Sequence, residues 1–170
     1  MADYLFPKVL FFCNEGVGKT TFIERYCFDS DPSWKRTIGA HIFKLKQDVN
    51  LRGNIFILAF WDISEHTSLK RRLYEGAKGA IFMYDITNVK SLNKFLDWTI
   101  NVREYCGNIP VLLVGNKLDL EESRADSKKQ RMMLKENYGL SFLVEISVKT
   151  GENVENMFEE LIDLMMSGIE

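Results

Sequence analysis

The sequence predicts an α/β domain in which a mainly parallel sheet carries helices on both faces, a three-layer sandwich. Three observations lead there. Apolar runs of strand length alternate with stretches of helical periodicity along the whole chain. The Gly-rich and polar segments fall directly after the strand runs, where open parallel sheets bind ligands. The 170 residues, 46% hydrophobic and 27% charged, suit one soluble globular domain.

Lys8–Cys13 is a compact β run, and Thr20–Cys27 follows as a helix with Phe22, Ile23, Tyr26 and Cys27 on one face. Ile42–Gln47 alternates Phe43 and Leu45 inward with Lys44 and Lys46 outward, as a half-buried strand does. A turn containing Asn50 and Gly53 leads into the continuous apolar run Asn54–Asp62, so the two strands form a hairpin. Ala80–Asp85, Val111–Gly115 and Phe142–Ile146 read as strands. Ser91–Tyr105, Asp126–Tyr138 and Asn153–Met166 read as helices. The last is the clearest, with Val154, Met157, Phe158, Leu161, Ile162 and Met165 on one face. Met132 and Met133 are expected to fill core gaps, and Lys128–Arg131 to form a solvated helix face.

Composition excludes several classes. The formal net charge of −2 gives no case for nucleic-acid binding. No apolar run reaches the ~20 residues of a membrane span. Cys13, Cys27 and Cys106 are odd in number and widely spaced, which argues for reduced thiols in a cytoplasmic protein rather than a disulfide or zinc framework.

After the first strand stands Cys13-Asn14-Glu15-Gly16-Val17-Gly18-Lys19-Thr20, a P-loop whose first Gly is Cys13. Gly16 and Gly18 let the backbone curl so that successive N–H groups face phosphate oxygens. The helix opening near Lys19 adds its positive end. Lys19 supplies a point charge for phosphates and Thr20 a hydroxyl for Mg²⁺. After the fifth strand comes Asn116-Lys117-Leu118-Asp119. A carboxylate at Asp119 can accept from the adjacent N–H and NH₂ donors of guanine, a pair adenine lacks, and Lys117 can lay its stem along a base. After the sixth strand, Ser147-Val148-Lys149 can offer the Val148 N–H to guanine O6. Two such motifs behind a P-loop favour guanine specificity.

These motifs, with Thr37-Ile38-Gly39, Trp61-Asp62, Tyr74–Ala80, Tyr84-Asp85-Ile86-Thr87 and Lys149–Glu155, make the chain similar to the Ras superfamily of small GTPases, above all its Rab branch, from about Lys8 to Leu164. The resemblance implies a P-loop NTPase fold with a six-stranded, mostly parallel sheet, one antiparallel edge strand and five helices. It implies a GTP/GDP switch with Mg²⁺ as cofactor, binding effector and regulator proteins through two switch regions. Thr37 becomes the switch I threonine on Mg²⁺, and Asp62 the holder of a metal-bound water. The implied metal set is Thr20, Thr37 and Asp62, and the implied catalytic set is Lys19, Thr37 and His66. The implied nucleotide set comprises Glu15, Gly16, Val17, Gly18, Lys19, Thr20, Thr21, Phe28, Trp34, Thr37, Asn116, Lys117, Asp119, Ser147, Val148 and Lys149. Phe28 is a candidate cover for the guanine or a core residue, and Trp34 a cover for the phosphates or an effector contact. A monomer is expected, with membrane attachment only through a lipidated tail beyond Glu170.

Four departures from the family pattern cluster around the phosphates. Cys13 replaces the first P-loop Gly, which binding should survive. Glu15 replaces a Gly and can crowd the γ-phosphate. Glu65 replaces the Gly of D-x-x-G, and Glu does not reach positive φ as freely. His66 replaces the glutamine that orients the attacking water. Slow hydrolysis is expected from these, with a GTP-bound, non-hydrolysing interaction module as the alternative.

Overall fold

The computed structural model describes residues 3–29 and 39–168. Its centre is a seven-stranded sheet. The strands are β2 (Lys8–Cys13), β3 (Cys27–Asp29), β4 (Ala40–Leu45), β7 (Ala59–Ile63), β8 (Gly79–Asp85), β9 (Val111–Asn116) and β10 (Phe142–Glu145), in the order β10-β9-β8-β2-β7-β4-β3. The pairs from β10 to β7 are parallel, whereas β4 runs antiparallel to β7 and β3 antiparallel to β4. The expected six strands with an antiparallel edge are therefore present, and the three-residue β3 extends that edge. A small second sheet joins β1 (Tyr4–Leu5), β6 (Asn54–Phe56) and β5 (Val49–Leu51).

Five α-helices lie among the described residues: α1 (Lys19–Tyr26), α2 (Lys70–Tyr74), α3 (Phe95–Cys106), α4 (Lys128–Asn137) and α5 (Val154–Ser167). None is long and apolar enough to cross a membrane. Period-two alternation along the central strands feeds two cores. Val9 and Phe11 of β2, Ile81 and Met83 of β8, and Leu112 and Val114 of β9 pack with α1 and α5. Their neighbours Leu10, Phe12, Phe82, Tyr84, Val111 and Leu113 pack with α2 and α3. All six residues read from the last helical stripe are buried on α5.

Phe22 is the hub of the first core. It is fully buried, with ring centroids 5.4 Å from Phe11, 5.7 Å from Phe60 and 6.1 Å from Phe158. Phe22→Ala is expected to cost about 3–5 kcal/mol, read as a lower denaturant midpoint at unchanged m-value.

Several boundaries differ from the sequence reading. The run Asn54–Asp62 breaks at Ile57-Leu58, where the chain passes from the small sheet to the large one. Arg52 and Gly53 make the tight turn between β5 and β6 at φ 49° and 78°, a conformation matched to strand twist. Cys27 leaves the helix and begins β3, yet it stays buried. Met132 and Met133 are half exposed rather than core-filling, because the short helix α4 buries none of its residues fully. Arg131 is not simply solvated, for it pairs with Asp126 and Glu145.

Candidate functional site

The carboxyl ends of β2, β7, β8, β9 and β10 converge, as the motif positions require. The loop Asn14–Gly18 joins β2 to α1. Asn14 Nδ2 donates to the carbonyls of Ser91 (2.7 Å) and Asn93 (2.8 Å), tying the loop to the turn before α3. Gly18 has φ 120°, and a Cβ there would lie 2.5 Å from Asn116 Nδ2. The glycine thus serves both backbone shape and the approach of a neighbouring loop. Val17 is buried, Thr21 half-buried, and Glu15, Gly16 and Thr20 are exposed around the opening. Cys13 sits half-buried below the loop, where burial pushes its thiol pKa up to about 12.

Lys19 Nζ donates to Asp62 Oδ2 at 2.5 Å across the gap between α1 and β7. Burial pulls the Lys19 pKa down, but the charge and hydrogen bond of Asp62 outweigh it, so the net shift is upward and the ammonium is held. The hydroxyl of Thr20 and the carboxylate of Asp62 are hard oxygen donors suited to Mg²⁺ completed by phosphate oxygens and water. Their chemistry fits the ion. Thr37, the third expected metal ligand, and Trp34 lie outside the described residues.

The loops after β9 and β10 meet. Asn116 is almost fully buried; its Nδ2 donates to the Val17 carbonyl (2.8 Å) and its Oδ1 accepts from the Val148 N–H (3.0 Å). One side chain therefore joins the P-loop to the loop after β10. Asp119 Oδ1 accepts from Ser147 Oγ at 2.6 Å, which fixes the carboxylate's rotation. Lys117 adopts φ 71°, and its ammonium lies 2.6 Å from Asp85 Oδ2. Burial works to raise the Asp85 pKa, but bonds from Lys117 and Thr87 more than reverse it, leaving the carboxyl below its ordinary value.

The Val148 N–H, expected to face guanine O6, donates to Asn116 Oδ1 here. One reading needs correction. Phe28 is 60% exposed on β3, so it is no core residue. Lys149 is exposed at the rim.

At the phosphate end, Glu65 Oε2 pairs with Lys94 Nζ at 2.8 Å. Lys94 itself holds φ 73° just before α3. Glu65 stays outside the positive-φ region its family counterpart Gly can enter. His66 is exposed and lines, with Glu65, Lys70, Lys94 and Asp97, a cleft of about 290 Å³ floored by Phe12 and Trp98. The Ser64 N–H donates to the Gly39 carbonyl at 2.7 Å, linking the segment after β7 to the residue before β4. Sequence reasoning missed Asn14, Lys94 and the Asp85 partner of Lys117. Asn14 and Asp85 stood within motifs already singled out, whereas Lys94 did not.

A glycine-rich turn at a helix start, a lysine paired with the carboxylate at the end of a neighbouring strand, and an aspartate held by the loop after β10 form a P-loop arrangement of the kind that binds phosphates. Comparison with known proteins narrows this. The Ras family profile matches residues 8–167, and the chain belongs to that family. It is 38% identical to Ras-related protein Rab-3A of Homo sapiens over 168 residues, 96% of this chain and 74% of that protein. It is 38% identical to Ras-related protein Rab-3 of Caenorhabditis elegans over 169 residues, 96% and 75% of the two chains. With Ras-related protein Rab-3C of Bos taurus the identity is 39%, over 96% and 72%. The protein is thus a small GTPase of the Rab branch.

Proposed function

We propose that the protein is a guanine-nucleotide switch that binds Mg²⁺–GTP and GDP, hydrolyses GTP slowly, and recruits effectors and regulators through the segments around Thr37 and after Asp62. The observation that carries slow hydrolysis is the Glu65–Lys94 ion pair. It holds the D-x-x-G position against the start of α3, while the P-loop is tied to the same turn through Asn14. For the Glu65 N–H to meet a γ-phosphate, this segment must leave Lys94 or carry it along.

In the nucleotide complex, Lys19 would exchange Asp62 for phosphate oxygens. The P-loop amides would bind the same phosphates, and Asp119 would select the base. Thr20, Thr37 and Asp62 would hold Mg²⁺, directly or through its water, and the ion would neutralise phosphate charge. His66 can donate one hydrogen bond and accept another near an attacking water, though with a different reach from glutamine. Glu15, exposed at the loop, brings negative charge toward an anionic ligand.

The test is single-turnover conversion of bound GTP after removal of free nucleotide. Hydrolysis over hours is expected, and Glu65→Gly combined with His66→Gln should raise the rate roughly tenfold or more. Turnover as fast as that of an ordinary small GTPase assayed alongside would overturn the slow reading. The Glu65–Lys94 contact also favours a second reading, a GTP-bound interaction module. GTP that persists unchanged for days would establish it.

A further inference from the structure

Behind the base-recognition loops lies a cluster of charged groups that the nucleotide reading does not use. The Asp126 side chain is fully buried. Its Oδ2 accepts from Tyr84 Oη (2.8 Å) and Arg131 Nη1 (2.9 Å), and its Oδ1 from Arg124 Nη1 (3.0 Å). Arg124 also grips Glu145 with two bonds, Nη1 to Oε1 at 2.7 Å and Nη2 to Oε2 at 3.0 Å. Two arginines, the Asp126 and Glu145 carboxylates and one phenol thus interlock, with the exposed Glu121 3.6 Å from Arg124 at the rim. Burial alone would raise the Asp126 pKa, but the bonds from Arg131 and Tyr84 reverse it, so the carboxylate is held charged.

The members stand at the roots of both base-side loops. Arg124 ends the turn Leu118–Ser123 that follows Asp119. Glu145 is the last residue of β10, two before Ser147. Tyr84 is the next-to-last residue of β8, beside Asp85, the anchor of Lys117. The Ala125 and Asp126 amides both donate to the Ile86 carbonyl, at 2.8 and 3.3 Å, and the Leu118 amide donates to Ile146 at 3.0 Å. An apolar plug would hold two loops together at least as stably. Bidentate arginine bonds add what a plug lacks, a fixed distance and angle.

We propose that Arg124, Asp126 and Tyr84 are positioning residues for base selectivity, because their network fixes the register of the Asp119 loop against the Ser147–Lys149 loop. This rests on the guanine reading of Asp119. A carboxylate that must accept two bonds from one base edge tolerates displacement of only about 0.5 Å. Loosening its root should therefore harm recognition of the guanine 2-amino group more than retention of the phosphates.

Release of fluorescent GDP and of the matching inosine diphosphate, which lacks the 2-amino group, tests it by stopped flow. Arg124→Lys keeps the charge and loses the fork. It should speed GDP release about tenfold, the scale of one lost charged hydrogen bond, while inosine diphosphate release changes less than about threefold. Tyr84→Phe removes only a hydroxyl and should act in the same direction with a smaller change. It decides the matter if Arg124→Lys does not fold. Folded variants that keep the wild-type ratio of the two release rates, with only a lowered melting temperature, would overturn the proposal and leave the network structural. Wild-type protein that releases both diphosphates equally fast would instead overturn the guanine reading, and the proposal with it.

Discussion

Asp119→Ala is expected to erase discrimination between guanine and adenine nucleotides, by roughly 10⁴ or more in relative affinity. A site built to bond specific donors rejects a ligand lacking them by about that factor. The carboxylate is already oriented before any base arrives, because Ser147 Oγ holds Oδ1 at 2.6 Å. In the variant nothing answers the two guanine donors, and Ser147 loses its acceptor. Displacement of a bound fluorescent GDP by unlabelled GDP and ADP measures the ratio. A variant that still prefers GDP by more than a hundredfold would remove Asp119 from base recognition.

Lys19→Ala should weaken GDP binding about 100-fold or more. The loss is at least one pair of charge-assisted bonds, each worth about 1.5–3 kcal/mol. Titration calorimetry with Mg²⁺ present reads it directly. The substitution also strands Asp62, whose carboxylate is only 12% exposed, so the free protein should be less stable than wild type. The sign with pH follows from the raised Lys19 pKa. The pair's contribution is full below the ordinary lysine value of 10.5 and is lost as pH rises through the higher folded value. Wild type and Lys19→Ala should therefore converge in stability at strongly alkaline pH.

Most of the architecture was legible because the signals were local. The α5 stripe needed only the 3.6-residue period, and all six residues named from it are buried. The loops that carry the P-loop, Asn116–Asp119 and Ser147–Lys149 needed only their place after a strand. What escaped reading depends on partners far apart in the chain. β1 is two residues long and exists by pairing with β6 some fifty positions away. The break at Ile57-Leu58 is invisible in a continuous apolar run, since both residues remain buried. Arg131 looked like part of a solvated basic stretch because its partner Glu145 lies beyond an intervening turn. Glu65 was legible as a departure from pattern, but its partner Lys94, 29 residues away, was not. The bond from the Val148 N–H to Asn116 was not legible either, because the reach of Asn116 across two loops is a property of the folded site.

The three thiols have a practical consequence. Burial pushes Cys13 and Cys27 up to about 12 and Cys106 to about 11. A thiol raised that far presents little thiolate at neutral pH, so an electrophile reacts slowly with it while the fold is closed. Labelling must then wait for an opening event, and its rate becomes a clock for that event. Cys13 lies at the end of β2 beneath the P-loop, and Cys27 at the junction of α1 and β3. Alkylation of the unmodified protein, resolved by cysteine, would time the breathing of the phosphate end separately from the sheet edge, without a single engineered probe.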